Sequence, residues 1–289
     1  MEYLWELIWS SLRLASPLCF AALGGLLSER SGVINLALEG TMLIGAFTAA
    51  AVTSLTHEPF LGFAAAALVG AMYTAILGFF SLTLGAQQVV VGMGLNILAF
   101  GMTPYLNKLL FGVTSSTPSL DSADRLSYEP LVLLFFLILL IQFGLKHMRF
   151  GLWLRTAGEE AKALDAAGIS RLATRWAGVL LSGVLAAWGG AVLSVMLASQ
   201  FTRQMTAGAG FMAIAALILG RWQVLPTALV CLFFGLTDAG QIRLQQILSE
   251  AGEKRWLALL PLLPYLVTLA VLALQGGRMR APRELGRST

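Results

Sequence analysis

The sequence predicts an all-α, polytopic transmembrane bundle of about eight to ten membrane segments, one of them broken or re-entrant. Three observations carry this. Hydrophobic residues make up 57% of the 289 positions and charged residues only 12%, with a mean hydropathy of +0.79. Soluble domains carry roughly 25% charge, so this chain cannot cover itself with a solvated surface, and lipid must be its solvent. Apolar runs of about 20 residues, the length a helix needs to cross a bilayer, recur along the chain. One polar island, 146–175, interrupts them. Residues 1–289 read as one transmembrane domain, and no soluble domain is apparent.

The runs place crossings near 3–27, 34–56, 60–84, 87–106, 130–145, 176–198, 204–220, 223–241 and 257–274. The first lacks a basic leader and a small-residue cleavage site, so it reads as a retained helix. Within 28–45, Glu29, Arg30, Asn35 and Glu39 interrupt an apolar stretch. Polar groups at membrane depth are tolerated only where they face protein or a water-filled cavity, so this segment is the broken one. The cleanest crossing is PLVLLFFLILLIQFGL, opened by Pro130. Gly178, Gly183, Gly189 and Gly190 suit close helix approach.

Basic residues set the orientation. Lys146, Arg149, Arg155, Lys162, Arg171 and Arg175 in the island, and Arg278, Arg280, Arg283 and Arg287 in the tail, belong to the cytoplasm. The 107–129 loop faces outward, and nine crossings put the N-terminus outside. Arg243, Lys254 and Arg255 fall awkwardly in an outer loop. Trp5, Trp9, Trp153 and Trp256 fit interfacial anchoring. Cys19 and Cys231 read as small core residues, and the net charge of +4 flanks apolar runs rather than forming a nucleic-acid surface. His57 and His147 are isolated, with no metal-ligand neighbour.

In the island, LRTAGEEAKALDAAGIS predicts an amphipathic helix over 156–168. Thr156 and Glu159 have capping-box spacing. Glu159 and Glu160 would occupy the first turn, where the helix dipole favours negative charge. Gly168 suits the position after the last turn. Such a helix either docks a soluble partner or is simply a solvated loop helix.

The island, through Arg155, Gly158, Glu159, Ala163, Gly168 and Ile169, resembles the coupling helix of ATP-binding-cassette importer permeases of the branched-chain amino acid, ribose and nucleoside group. SERSGVINLALEGTMLIGAF (28–47) resembles that group's first re-entrant segment. LGAQQVVVGMGLNILAFGMT (84–103) and residues 201–245 resemble its nucleoside and simple-sugar branch. The stretch GEEAKALDAAGI lacks the Pro that many relatives carry there.

The resemblance implies a multi-pass plasma-membrane permease for nucleosides or related purines, with simple sugars or branched-chain amino acids as alternatives. It implies that Thr156, Gly158, Glu159, Glu160, Asp165 and Gly168 couple to an ATPase subunit. That subunit would bind the ATP and Mg, and this chain no cofactor; no G-x-x-x-x-G-K-[ST] phosphate loop occurs in it. The further implied partners are a second permease subunit, giving a heterodimer, an extracytoplasmic substrate-binding protein and the membrane lipid, with no nucleic acid.

Polar groups in apolar helices are the candidates for a translocation pathway. Asn35 and Glu39 stand i, i+4 and share a face. Gln87, Gln88 and Asn96 lie in the fourth crossing, Asp238 and Gln241 end the eighth, and Gly208 and Gly210 open a helix in TAGAGF. The competing reading is hydrogen bonding across helices. Glu39 is least easily structural, because a carboxylate in lipid is costly, unless it pairs with Arg30 or Arg13. An ion-driven secondary transporter would need coupling carboxylates, for which Glu39 is the one good candidate. No paired carboxylates, His cluster or Ser/His arrangement supports a membrane-embedded enzyme, so no catalytic or metal residue is assigned.

Overall fold

The computed structural model describes residues 2–250, Leu266, Ala273 and residues 281–286. Among them no strand forms; one isolated bridge joins Ser116 to Thr202. The helices are α1 (Glu2–Arg30), α2 (Leu38–Thr56), α3 (Pro59–Gly78), α4 (Gln88–Phe111), α5 (Glu129–His147), α6 (Arg149–Glu159), α7 (Ala161–Ala166), α8 (Arg171–Ala191), α9 (Ala209–Leu219) and α10 (Val224–Glu250). Single wide π turns extend α3 over Phe79–Thr83 and α8 over Val192–Leu197. Seven helices among the described residues are long and apolar enough to cross a membrane. Apart from Leu266 and Ala273, the expected crossing at 257–274 lies outside the described residues, as do Lys254, Arg255, Trp256, Arg278, Arg280 and Arg287.

Burial sorts the seven into two shells. The spans built on α1, α2 and α8 are 61, 78 and 72% buried, against 22 to 33% for α3, α4, α5 and α10. The inner three therefore face protein while the outer four present Leu68, Met72, Ile97, Phe135, Phe136 and Leu229 outward. Lipid gives apolar helices no hydrophobic reason to associate, so small residues must let the backbones meet. Around α8 they do. A Cβ on Gly183 would strike Thr74 Oγ1 and the Gly70 carbonyl, and one on Gly190 would strike the Met42 carbonyl. Trp188 locks the same face, stacking on Phe63 at 5.2 Å and donating from Nε1 to the Phe63 carbonyl at 3.1 Å.

Two departures from the expected segments are instructive. Residues 204–220 are not one continuous crossing. The backbone stays irregular through 199–208, and only then does α9 form, whose 11 residues span roughly 16 Å. Apolarity gives no hint of this, since 204–220 is as oily as its neighbours. Second, α10 does not end near Asp238 and Gln241 but runs on to Glu250, so Arg243 lies in the helix and not in a loop. Arg243 instead stands 3.8 Å from Glu6 at the start of α1.

The end of the bundle away from the island is tied by its loops. Thr117 donates from its backbone N–H to the Phe201 carbonyl at 3.0 Å, Leu120 to Ser199 at 2.8 Å and Arg203 to Ser115 at 2.8 Å. His57, expected to be isolated, meets Asp124 at 2.7 Å across this surface, a pairing that sequence separation hides. The carboxylate's hydrogen bond and charge raise the imidazole pKa above its ordinary value near 6.5. A His pKa raised on folding adds stability that is complete below about 6.5 and is lost as pH rises through the folded-state value. The melting-temperature difference between wild type and His57→Gln is therefore expected to be largest in mild acid and to shrink at alkaline pH. A pH-independent difference would contradict the pairing.

Candidate functional site

Of the polar residues predicted for a pathway, Asn35, Glu39, Gln88, Asn96, Gly208 and Gly210 converge on one seam, between the irregular stretch 31–37 that joins α1 to α2 and the start of α9, whereas Asp238 and Gln241 lie on α10. Backbone groups freed by the break must find partners inside the bundle, and the amides of α4 supply them. Gln88 Oε1 accepts from the Ile34 N–H at 2.7 Å. Two turns on, Asn96 accepts from the Gly40 N–H at 2.8 Å and donates to the Leu36 carbonyl at 2.8 Å. Asn35 turns back to accept from the Ala37 N–H and donates to Ser182 Oγ at 2.8 Å. The i, i+8 spacing of Gln88 and Asn96 matches the length of backbone they stitch. Gln87, their neighbour, is exposed at the start of α4.

Glu39 sits at the centre of the seam, 2% exposed. Its Oε1 accepts from the Thr206 hydroxyl at 2.6 Å and the Gly208 N–H at 2.9 Å, and its Oε2 from the Gly210 N–H at 2.7 Å. The carboxylate lies in the first turn of α2 and closes the first turn of α9. One negative charge thus serves two helix N-termini, each with a positive dipole end. Pairing with Arg30 or Arg13 does not occur. Arg30 donates from Nε to the Trp222 carbonyl at 2.9 Å, and Arg13 lines a cavity with Glu6 and Arg243. The glycines are required here. Gly208 has φ +89°, in the left-handed region, and a Cβ on Gly210 would collide with the Glu39 backbone N.

The island differs from the single helix expected over 156–168. Helix α6 starts at Arg149 and ends at Glu159, the chain bends at Glu160 (φ −155°, ψ 81°), and α7 follows. Thr156 lies inside α6 and donates to the Leu152 carbonyl at 2.8 Å, so no capping box forms. The stripe of Gly151, Leu154, Ala157 and Gly158 explains the earlier start, because it buries one face of α6 against the bundle. A Cβ on Gly158 would strike the Arg30 carbonyl. Beyond the bend, Glu159, Glu160, Lys162 and Asp165 are exposed. Gly168 takes φ +74° just past α7, as its place in the sequence predicted.

Two features of this end were not foreseen. Glu29, 4% exposed, accepts from Trp222 Nε1 at 2.5 Å. The tail also returns here: Glu284 donates from its N–H to the Gly158 carbonyl at 2.8 Å, and Gly286 to the Gly32 carbonyl at 3.1 Å. Arg175, 1% exposed, has Nη2 at 3.8 Å from Glu284 Oε2. The only sequence signal for these contacts was the presence of charge in an oily chain.

A bundle of apolar spans whose backbone break is satisfied internally, with one exposed hairpin at its edge, defines a multi-pass membrane protein. The family described as "Branched-chain amino acid transport system / permease component" matches residues 7–273, and this chain belongs to that family. It is 34% identical to the nucleoside ABC transporter permease protein NupC of Lactococcus lactis, over 94% of this chain and 92% of that one. It is 33% identical to the guanosine ABC transporter permease protein NupQ of Bacillus subtilis, over 96% and 94%. A further relative, the glucose ABC transporter permease protein TsgB13 of Haloferax volcanii, is 26% identical over 78% and 67%. The chain is accordingly a multi-pass plasma-membrane protein and a transport component, working with an ATPase subunit and a substrate-binding protein.

Proposed function

We propose that this chain is the permease subunit of an importer for nucleosides or related purine compounds. The observation that carries the reading is its one-third identity, over almost its whole length, to nucleoside and guanosine permeases. ATP and Mg are bound by a separate subunit, which hydrolyses the ATP and drives the bundle through the 156–168 segment of a cytoplasmic 146–175 region. Thr156, Gly158, Glu159, Glu160, Asp165 and Gly168 form or shape that docking surface. The exposure of Glu159, Glu160, Lys162 and Asp165 supports this, because it leaves a polar surface within reach of a water-phase partner.

The pathway follows the seam that gathers Asn35, Glu39, Gln88, Asn96, Gly208 and Gly210, with Gln87 exposed beside it at the start of α4, and the seam's hydrogen bonds exchange as the bundle rocks. A second, non-identical permease completes it along α4. There Val90, Met93 and Ile97 are exposed, and a Cβ on Gly94 or Gly101 would meet nothing, leaving room for close helix approach.

The test is uptake into proteoliposomes holding the full importer and its binding protein. ATP-dependent accumulation of labelled guanosine, insensitive to ionophores, is the expected result. ATP-dependent uptake of glucose alone would move the chain to the sugar reading. ATP-independent uptake collapsed by an ionophore would replace the importer with an ion-coupled transporter.

A further inference from the structure

Helices α5 and α10 lean apart over α1, and the gap holds two cavities of opposite character. At the island end lies one of about 410 Å³, lined by Arg30, Lys146, Arg155, Gln142 and Gln223 with Leu225 at its apolar edge. No carboxylate lines it among the described residues; Glu159 acts on Arg30 only from outside the cavity. Deeper along the same helices lies the second, of about 200 Å³; its nearest wall residue on α5, Ile138, is one turn from Gln142, and on α1 Cys19 lies roughly 16 Å from Arg30. The walls of this second cavity are almost wholly apolar, among them Cys19, Leu134, Ile138, Ala228 and Leu232. Phe135, which borders it, faces outward.

We propose that this groove binds one anionic phospholipid, headgroup phosphate among Arg30, Lys146 and Arg155, acyl chain along Ile138 and Ala228. The vertical order selects the ligand: cations and amides at the bundle's edge, hydrocarbon walls deeper along α5 and α10, and an apolar outer rim exposed at Phe135 and Leu225. Each cation near a membrane surface favours an anionic lipid by about 1 kcal/mol, or about fivefold. Three cations make a preference on the order of a hundredfold over a zwitterionic lipid. Arg30 is already held by the Trp222 carbonyl, so its guanidinium is positioned before any lipid arrives. Placing the lipid in the inner leaflet rests on the orientation proposed above; the chemistry of the groove does not.

The experiment is native mass spectrometry of the purified importer in mixed phosphatidylglycerol and phosphatidylcholine nanodiscs. Wild type is expected to retain one phosphatidylglycerol in preference to phosphatidylcholine. Lys146→Gln, at an exposed position that folding tolerates, should weaken that preference about fivefold, and adding Arg155→Gln about twentyfold in total. Ala228→Phe, which fills the apolar cavity, should displace the phospholipid without altering binding of inorganic phosphate. Equal retention of the two lipids, or a preference unchanged in the double variant, overturns the proposal. So does inorganic phosphate competing as strongly as the lipid while Ala228→Phe has no effect, which would reassign the pocket to a soluble anion.

Discussion

Glu39→Ala is expected to produce the largest loss of stability of any substitution in the seam. It removes the acceptor of three donors, the Thr206 hydroxyl and the Gly208 and Gly210 N–H groups. Each buried donor left unsatisfied costs about 1–3 kcal/mol, and the Thr206 and Gly210 donors are buried while Gly208 is partly exposed, so the loss is at least about 2 kcal/mol. For a protein of this size that corresponds to roughly 4 °C or more in melting temperature. Glu39→Gln keeps the volume and one acceptor oxygen but turns an amide N–H₂ toward a donor, and should fall between. The measurement is size-exclusion chromatography of the detergent-solubilised protein after a temperature ramp, beside uptake in proteoliposomes. A variant that melts like wild type yet fails to transport would show that the carboxylate serves the pathway and not the fold.

Reversing charge at the hairpin should do the opposite: leave the fold and remove the work. In Glu159→Lys combined with Glu160→Lys both sites are exposed, so each should change stability by no more than about 0.5 kcal/mol, and the melting temperature should stay within about 2–4 °C of wild type. If the ATPase subunit docks here, like charge at the contact costs on the order of 1–3 kcal/mol. Uptake and its coupling to ATP hydrolysis should then fall roughly 5- to 150-fold. Uptake at the wild-type level would move the docking surface elsewhere. Gly158→Leu is the wrong test, because its side chain would strike the Arg30 carbonyl and unsettle the bundle.

The membrane fold was legible because a span leaves a run of oil that no other structure explains. The break at 28–45 was legible for the complementary reason, since Asn35 and Glu39 have no place against lipid. What each polar group bonds to was not legible. Glu39 invited pairing with a cation, but its partners are one hydroxyl and two backbone N–H groups some 170 residues away, and the N–H groups carry no side-chain signature. The irregular half of 199–222 was hidden by residues as apolar as a helix would need. The island's true start was missed for a local reason. Thr156 and Glu159 have capping spacing, but the buried stripe from Gly151 to Gly158 offers packing that a single cap cannot match.

The bond between Glu39 and Thr206 also has a timetable. The two residues are 167 apart, and a ribosome adds about 5–20 residues per second. For roughly 8 to 30 s after α2 is made, its carboxylate has no Thr206 or Gly208 to meet. Through that interval the first turn of α2 lacks these partners, and the seam closes only once the C-terminal half has arrived.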